Sequence, residues 1–367
     1  MKLSKKFWSN KKILLTGDTG FKGSWLSLML NELGAKVYGY SIDIPTEPSL
    51  YQMCQVSNIT NTDFANITNK TALQTYCSKV NPDIVIHAAA QSLVRDSYDD
   101  PVGTFETNVM GTLILLDQIK SMPSVKSVIV VTSDKCYQPS QFSDHRFVEA
   151  DPMGGDDPYS ASKAAAEIAA HSMGLLIKAS RKASEIASCG IATVRAGNVI
   201  GGGDWASNRL IPDVMQAKIR NEISLIRNPD MVRPWQHVFQ PLYGYLLLAE
   251  QLYSDSVNFS GSWNFGPKEE SEIPVSEVVQ KIDDLWAETS GWRGGDQSKT
   301  SPHETDYLRL DSTKSIQVLG WNDSVIDINN GLALTVDWYK AYSEHSNMLD
   351  FSLKQIRGFL SMTSDSQ

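Results

Sequence analysis

Tyr159 and Lys163 stand four residues apart in the stretch "DDPYSASKAAAEIAAH". A proline near the start and the alanine-rich run after it predict a helix, so both side chains lie on one helical face. A nearby ammonium favours tyrosinate and lowers the pKa of the phenol, which could then take a proton from an alcohol as hydride leaves the carbon. Alone, this spacing fits an ordinary amphipathic helix as well. It gains weight from a second motif near the N-terminus.

That second motif is "ILLTGDTGFKGSW", in which three glycines directly follow an apolar run. Glycines so placed permit a tight strand-to-helix turn and close approach of the backbone to a pyrophosphate, which the helix N-terminus attracts. We therefore expect a dinucleotide site formed by Gly17, Thr19, Gly20, Phe21, Lys22 and Gly23. Asp18 is unusual there, because a carboxylate opposes a bound anion. Either it weakens dinucleotide binding or it points to solvent.

A third polar group follows another apolar run. In "SVIVVTSDKCY" a predicted buried strand ends on a hydroxyl, a carboxylate and an amine, from Ser133, Asp134 and Lys135. Neighbouring side chains on an extended strand point to opposite sides, which disfavours a simple surface salt bridge between Asp134 and Lys135. An acid and a base at this place would add proton transfers to the alcohol chemistry of Tyr159.

These groups need a common scaffold, and the chain predicts one. Over the first two hundred residues, short β-branched apolar runs alternate with longer helical patterns, as in βαβ units with a parallel sheet. The predicted strands are "KKILLTG", "KVYGYS", "DIVIHAA", "SVIVVTS" and "GIATVRAGNVIG". Right-handed crossovers place ligands at the carboxyl ends of such strands, where the glycine-rich turn and the Ser133 group lie. We predict a Rossmann-type doubly wound α/β sheet.

The pattern loosens beyond Gly201 into loops and short helices. We expect residues 1–200 to form the dinucleotide-binding domain, with a returning segment near 237–265. Residues 201–236 and 266–360 would form a smaller, mixed substrate-binding domain, and the polar residues 361–367 a frayed tail.

Composition narrows the class of protein. The 367 residues carry a formal net charge of −9, which argues against a nucleic-acid surface because binding a polyanion relies on clustered lysine and arginine. The four cysteines include no C-x-x-C pair, so neither a metal site nor a disulfide framework is predicted. No apolar run is long enough to span a bilayer. We expect a cytoplasmic protein without a membrane partner.

The end of the second predicted strand bears on the choice of dinucleotide. An acid that grips the adenine ribose is expected there, but "KVYGYSIDIP" has Ser41 at that place and Asp43 two residues later. No arginine follows closely to hold a 2'-phosphate, which favours NAD over NADP.

The stretches "TGDTGFKG", "HAAAQ", "NVMGT" and "YSASK" resemble the extended short-chain dehydrogenases/reductases, and the likeness runs through nearly the whole chain. Within that family, "TSDKCY", "RAGNVIGGGDWA", "RPWQHVFQPLYGYLLLA" and "HETDYLRLD" are similar to sugar-nucleotide 4,6-dehydratases that act on CDP-glucose. The resemblance implies an NAD-dependent hydro-lyase that takes CDP-glucose and makes a deoxysugar for a polysaccharide. It also implies a homodimer paired through helices near residues 100–118 and 160–175.

The resemblance assigns residues as well. Its further cofactor positions are Ser41, Asp43, Asn66, Ile67, Ala88, Ala89, Ala90, Tyr159 and Lys163, and His87 would face NAD. Asn66 stands where the family usually has an aspartate. Its substrate positions are Gln91, Ser133, Asn198, Arg209, Arg233, Asn264 and Tyr307. An arginine suits a diphosphate because its planar fork pairs two oxygens at once, although Arg209 also fits a surface role.

The implied reaction oxidises the C4 hydroxyl, eliminates water across C5 and C6, and returns hydride to C6, giving CDP-4-keto-6-deoxyglucose. Ser133 would position the C4 hydroxyl beside Tyr159, and a protonated Asp134 would protonate the departing O6. Lys135 replaces the glutamate of the dTDP-glucose relatives. If neutral it could be the C5 base, and if charged it could stabilise the enolate.

Three alternatives remain open from the sequence. One is a sugar-nucleotide 4-epimerase, which would have no need of Asp134 and Lys135. Another is a dehydratase for a different nucleotide-glucose. The third is a non-catalytic NAD-binding regulator, which would tolerate the loss of Tyr159 or Lys163.

Overall fold

The computed structural model describes residues 2–142, 144–287, 291–294 and 308–365. The strands are β1 Lys12–Thr16, β2 Lys36–Ser41, β3 Asp63–Phe64, β4 Ile84–His87, β5 Ser127–Val131, β6 Arg146–Phe147, β7 Gly190–Arg195, β8 Asn198–Ile200, β9 Ser224–Ile226, β10 Val232–His237, β11 Gly261–Asn264, β12 Glu272–Pro274, β13 Trp292–Gly294 and β14 Arg309–Leu310.

The helices are α1 Lys5–Trp8, α2 Phe21–Glu32, α3 Leu50–Met53, α4 Lys70–Val80, α5 Val94–Asp99, α6 Pro101–Phe105, α7 Gly111–Ile119, α8 Pro158–Ala183, α9 Leu210–Ile219, α10 Phe239–Ser254, α11 Ser256–Phe259, α12 Val275–Trp286, α13 Thr313–Gln317, α14 Ile328–Ser343 and α15 Met348–Asp365. A π-helical turn over Glu106–Met110 joins α6 to α7, and one of the 3-10 helices covers Asp134–Cys136.

Seven parallel strands form the main sheet in the order β3-β2-β1-β4-β5-β7-β11. This order confirms the predicted doubly wound Rossmann-type sheet, and the change of direction between β1 and β4 opens a crevice at their carboxyl ends. The last predicted strand divides in two. After β7 the chain leaves the main sheet, and β8 pairs with β10 in a separate three-stranded sheet.

The central strands are buried on both faces because their side chains alternate between two cores. In β1, Ile13 and Leu15 pack on the side of α2 and α10, whereas Leu14 packs on the side of α4, α7 and α8. In β4, Ile86 and Val85 divide in the same way. The continuous apolar runs that predicted strands from the sequence are therefore the residues of two separate cores.

The segment after β10 returns to the main sheet. Helix α10 is buried on nearly every side, and β11 adds the seventh strand beside β7. The small sheets formed by β8, β10 and β12, by β9 and β13, and by β6 and β14 belong to the mixed remainder of the chain.

The C-terminal helix differs from the expectation. α15 runs to Asp365, so residues 361–365 are helical rather than frayed. The helix packs on α2, where Arg357 donates to both carboxylate oxygens of Glu32 at 2.7 and 2.8 Å. Within the described part of the chain, no helix is both long and apolar enough to cross a bilayer.

Candidate active site

The turn between β1 and α2 depends on two glycines. Gly17 has a φ of +76°, and a Cβ there would lie 2.7 Å from the backbone N of Ala89. A Cβ on Gly23 would lie 2.0 Å from the carbonyl oxygen of Gly17. Around Gly20, by contrast, a Cβ would meet only that same oxygen, at 3.5 Å. The backbone at Gly20 is thus open towards the cleft.

Helix α2 begins just after this turn without a side-chain cap at Gly20. Its first turn lines a cleft of about 1030 Å³ that extends over the carboxyl ends of the strands. Uncapped N–H groups at the start of a twelve-residue helix are suited to a pyrophosphate. The predicted cofactor positions that line the cleft are Gly17, Thr19, Gly20, Phe21, Lys22, Gly23, Ser41, Asp43, Asn66, Ile67, Ala88, Ala89, Ala90, Tyr159 and Lys163.

Asp18 turns away from the cleft. Its carboxylate is fully buried and accepts hydrogen bonds from Ser41 Oγ at 2.7 Å and Thr62 Oγ1 at 2.6 Å. Burial raises the pKa of this carboxyl group, and the two hydroxyls oppose that shift. The expectation that Asp18 points to solvent is wrong, and it does not face a bound anion directly. Ser41 therefore donates its hydroxyl hydrogen to Asp18.

His87 also points into the protein rather than towards the cleft. Its Nδ1 lies 2.7 Å from Thr16 Oγ1 and its Nε2 lies 3.0 Å from Thr112 Oγ1. Burial, with the charge of Lys163, lowers its pKa to about 3, so the ring is neutral. The expectation that His87 faces the dinucleotide is therefore wrong, and its two ring nitrogens join β1 to α7.

The tyrosine and lysine of α8 meet the end of β5. Asp157 caps the helix by accepting from Ser160 N at 2.9 Å, which orients the first turn. Lys163 Nζ lies 6.0 Å from the centre of the Tyr159 ring and donates to Val131 O at 3.4 Å. Ser133 is close enough to the Tyr159 hydroxyl to influence its pKa. All three side chains are buried.

Burial dominates the ionisation of this pair. It raises the pKa of Tyr159 to about 12, with the hydrogen bond to Ser133 opposing the rise. It also lowers the pKa of Lys163 to about 8, helped by the charge of Lys22. The expected lowering of the phenol's pKa by Lys163 is therefore wrong for the protein alone, because desolvation of the tyrosinate outweighs the effects that favour it.

The chain turns sharply after β5. Ser133 accepts from Lys135 N at 3.2 Å and so caps a single turn of 3-10 helix over Asp134–Cys136. The argument from alternating side chains on an extended strand fails here, because the strand has already ended at Val131. Ser133 Oγ also donates to Asp134 Oδ1 at 2.9 Å.

Asp134 is buried whereas Lys135 is half-buried on the wall of the cleft. Burial raises the pKa of Asp134, opposed by the charges of Lys135 and Lys22 and by the Ser133 hydrogen bond. A carboxyl group with a raised pKa can stay protonated and donate a proton. The geometry therefore offers an acid close to the tyrosine hydroxyl.

Lys22 reaches this acid as well, although the sequence assigned it to the cofactor alone. It lies close enough to Asp134, Asp204 and Arg209 for their charges to act on it, while burial lowers its pKa to about 8. A lysine in the first turn of a helix, where acidic residues are favoured, was the signal that could have indicated an unusual role.

Four predicted substrate residues other than Ser133 line the cleft, whereas Asn264 does not. Gln91, Asn198, Arg209 and Arg233 are on its walls. Arg209 Nη1 donates to Asp204 Oδ2 at 3.2 Å. Asn264 is fully buried elsewhere, where its Nδ2 donates to Phe147 O at 2.7 Å and to Asp311 O at 3.1 Å, so we assign it a structural role. Tyr307 lies outside the described residues.

Asn108 was not singled out from the sequence, although "NVMGT" contains it. It lies in the π-helical turn, a distortion that is frequent at functional sites. Its Nδ2 donates to Gln91 O at 3.0 Å and to Ser162 Oγ at 2.8 Å, and its Oδ1 accepts from Gln91 N at 2.9 Å. A polar residue inside an apolar helical pattern was the available signal, and it holds the loop after β4 against α8.

A glycine-rich turn at the crevice of a Rossmann sheet, facing a buried Tyr-x-x-x-Lys pair, defines an enzyme of the extended short-chain dehydrogenase/reductase class. Residues 14–333 match the model of the GDP-mannose 4,6 dehydratase family, and the chain belongs to this family.

Known proteins with names of dehydratases and epimerases are similar to the chain. The CDP-glucose 4,6-dehydratase of Salmonella typhimurium is 42% identical over 98% of this chain and 99% of that protein. The solved UDP-glucuronic acid 4-epimerase of Bacillus cereus, with 20% identity, has a TM-score of 0.74 over 90% of this chain and 99% of its own. The solved dTDP-glucose 4,6-dehydratase of Bacillus anthracis, with 23% identity, has a TM-score of 0.70 over 92% and 99%. The two solved structures share the fold.

Proposed function

We propose that this protein is an NAD-dependent CDP-glucose 4,6-dehydratase, which converts CDP-D-glucose to CDP-4-keto-6-deoxy-D-glucose and water. The observation that carries the proposal is the buried carboxyl group of Asp134, which accepts from Ser133 Oγ at 2.9 Å and lies close enough to Tyr159 for its charge to act on the phenol. Oxidation and re-reduction at C4 alone need no such acid, whereas loss of the C6 hydroxyl does. The 42% identity to a protein with this name supports the choice of substrate.

NAD fits the residues at the glycine-rich turn. The open backbone at Gly20 and the uncapped start of α2 would hold its pyrophosphate, and Asp43, which also lines the cleft, would accept from the adenine ribose. Solved relatives with the same fold are complexes with NAD. When bound, NAD accepts hydride from C4 of the sugar and later returns hydride to C6.

Ser133 together with Tyr159 and Lys163 of α8 would bind and deprotonate the C4 hydroxyl. Ser133 would hold that hydroxyl, and Tyr159 would take its proton. Because burial disfavours the tyrosinate, the ammonium of Lys163 is needed to stabilise it during the step. Lys163 is fixed for this by its bond to Val131 O.

Residues of the turn after β5 would catalyse the elimination of water across C5 and C6. Asp134, whose pKa is raised by burial, would give its proton to the departing O6. Lys135 stands on the wall of the same cleft and would take the C5 proton if neutral, or stabilise the enolate if charged. Arg209 and Arg233 would pair with the diphosphate, with Asn198 and Gln91 nearby.

Product formation tests the proposal directly. The purified protein is incubated with NAD and, separately, with CDP-, dTDP-, UDP- and GDP-glucose, and the alkaline ultraviolet absorbance of a 4-keto sugar is followed. We expect product from CDP-glucose. Interconversion of C4 epimers without loss of water would instead identify an epimerase. No conversion of any of the four would overturn the dehydratase assignment.

We infer in addition that two copies pair through α5 to α8. Large apolar side chains are exposed on these helices, including Val102 at 67%, Ile168 at 61% and Leu175 at 60%. Apolar groups gathered on neighbouring helices are typical of a surface that another protein covers. Light scattering on the purified protein should give twice the chain mass. The cytoplasmic location and the role in polysaccharide synthesis stay predictions.

A further inference from the structure

Glu167 carries a buried charge that the proposed chemistry does not use. It lies one turn beyond Lys163 on α8 and is only 4% exposed. Its carboxylate accepts from Arg195 Nε at 2.9 Å and Nη2 at 2.8 Å, from Thr132 Oγ1 at 2.5 Å and from Thr193 Oγ1 at 2.6 Å. Burial opposes ionisation, but Arg195 and the hydroxyls outweigh it and lower the pKa of Glu167.

Hydrogen-bond partners of this ion pair lie at both ends of the turn over residues 133–136, which carries Ser133, Asp134 and Lys135. Thr132 immediately precedes Ser133 and Asp134. At the other end of the turn, the Tyr137 hydroxyl accepts from Arg195 Nη1 at 2.6 Å and donates to Asn264 Oδ1 at 2.8 Å. Residues 133–136 are therefore held at both ends by hydrogen bonds to one buried pair.

The same pair also fixes where α8 lies. Glu167 is on the helix that carries Tyr159 and Lys163, so its bond to Thr132 joins that helix to the end of β5. Two further hydroxyl partners of Glu167 lie elsewhere, since Thr193 is within β7 and Ser262, which donates to Oε2 at 3.3 Å, is within β11. A buried ion pair is weak evidence for stability, because apolar replacements often stabilise a protein as well. Because the pair joins α8 to the end of β5, we consider instead that it fixes the relative position of these two elements.

We propose that Glu167 is a positioning residue for the dehydration, and that it acts through Thr132 and, by way of Arg195, through Tyr137. It sets the distance between the Tyr159 and Lys163 pair on α8 and the Ser133 and Asp134 pair beyond β5. The kinetic part of this inference rests on the proposed function.

The two threonines provide a matched experiment. Thr132→Val and Thr193→Val each remove one hydroxyl donor from the same carboxylate, at 2.5 and 2.6 Å. With CDP-glucose and NAD, we expect Thr132→Val to lower kcat by about 10- to 100-fold with little change in KM, because small misplacements of reacting groups carry costs of that order. Thr193→Val should keep kcat within about threefold, and Thr132→Ser should restore it.

Amide hydrogen exchange gives a readout that needs no turnover. In Thr132→Val the amides of residues 133–136 should exchange about tenfold faster, as the loss of one hydrogen bond to a charged group implies, and in Thr193→Val they should not. Equal effects of the two valine variants on these amides, or no effect of Thr132→Val, would overturn the positioning role. If the wild-type protein converts no nucleotide-glucose, the proposed function fails while the exchange comparison still decides the inference.

Discussion

Ser133 Oγ donates to Asp134 Oδ1 at 2.9 Å, and the same serine is close enough to Tyr159 to oppose the rise in the pKa of its hydroxyl. One serine therefore lies between the group proposed to deprotonate O4 and the group proposed to protonate O6. The two proposed proton transfers would take place at adjacent parts of one cleft, so a single position of the sugar could serve both.

The acid can be tested by Asp134→Asn, which keeps the shape of the side chain and removes its proton. Elimination should slow by about 10²- to 10⁴-fold, the usual contribution of a positioned general acid. Oxidation at C4 does not require this acid, so reduced nicotinamide should accumulate with the substrate bound. Stopped-flow absorbance after mixing with CDP-glucose measures both. Normal product formation by Asp134→Asn would refute the assignment.

Two variants distinguish the two proposed roles of Lys135, which are base for the C5 proton and electrostatic stabiliser of the enolate. Lys135→Met removes both the amine and the charge, whereas Lys135→Arg keeps a charge that cannot be lost at neutral pH. We expect exchange of the C5 proton with deuterated solvent to fall by about 10²-fold in both variants if Lys135 is the base. Recovery of exchange in Lys135→Arg would identify electrostatic stabilisation instead. Undiminished exchange in Lys135→Met would exclude either role.

Two glycines of one turn should respond differently to alanine. In Gly23→Ala the new Cβ would lie 2.0 Å from Gly17 O, so the turn must distort and the protein should lose about 2 kcal/mol or more of unfolding free energy. In Gly20→Ala the Cβ meets protein only at 3.5 Å and would project towards the cleft. That variant should keep its stability and lose NAD affinity. Thermal unfolding with and without NAD distinguishes the two effects.

Glu250 should make stability depend on pH. It accepts from Ser4 N at 2.8 Å, and burial raises its pKa from 4.5 to about 7. Between these two values the folded protein holds a proton that the unfolded chain releases, so stability falls as pH rises through this range. Glu250→Gln keeps the acceptor without the charge. It should add about 1–2 kcal/mol above pH 7 and nothing below pH 4.5, as measured by urea unfolding.

The sheet could be predicted because its signal is local. Each central strand is an apolar run of a few residues, bounded by glycine or polar residues. This pattern can be recognised in the sequence without knowing which segments pack against the strand. The glycine-rich turn and the Tyr159 and Lys163 pair were found for the same reason, since their spacing alone brings them together.

Side-chain direction could not be predicted, because it depends on segments distant in the chain. Asp18 turns inward only because Thr62 and Ser41 are there to receive it. Asn264 does not line the cleft, because its side-chain amide is hydrogen-bonded to Tyr137 and to Phe147 O inside the protein. The pKa of Tyr159 depends on how much protein covers it, which a motif does not contain.

The return of the chain to the main sheet through α10 and β11 has a consequence for how the protein can be divided. A fragment ending after β8 would contain every strand of the sheet except the seventh. Strand β7 would then present a bare row of N–H and C=O groups, and the apolar face under α10 would be uncovered. Such an edge invites pairing with other chains. This N-terminal fragment is therefore expected to aggregate when it is expressed alone, and synthesis must pass residue 264 before the seven-stranded sheet can be completed.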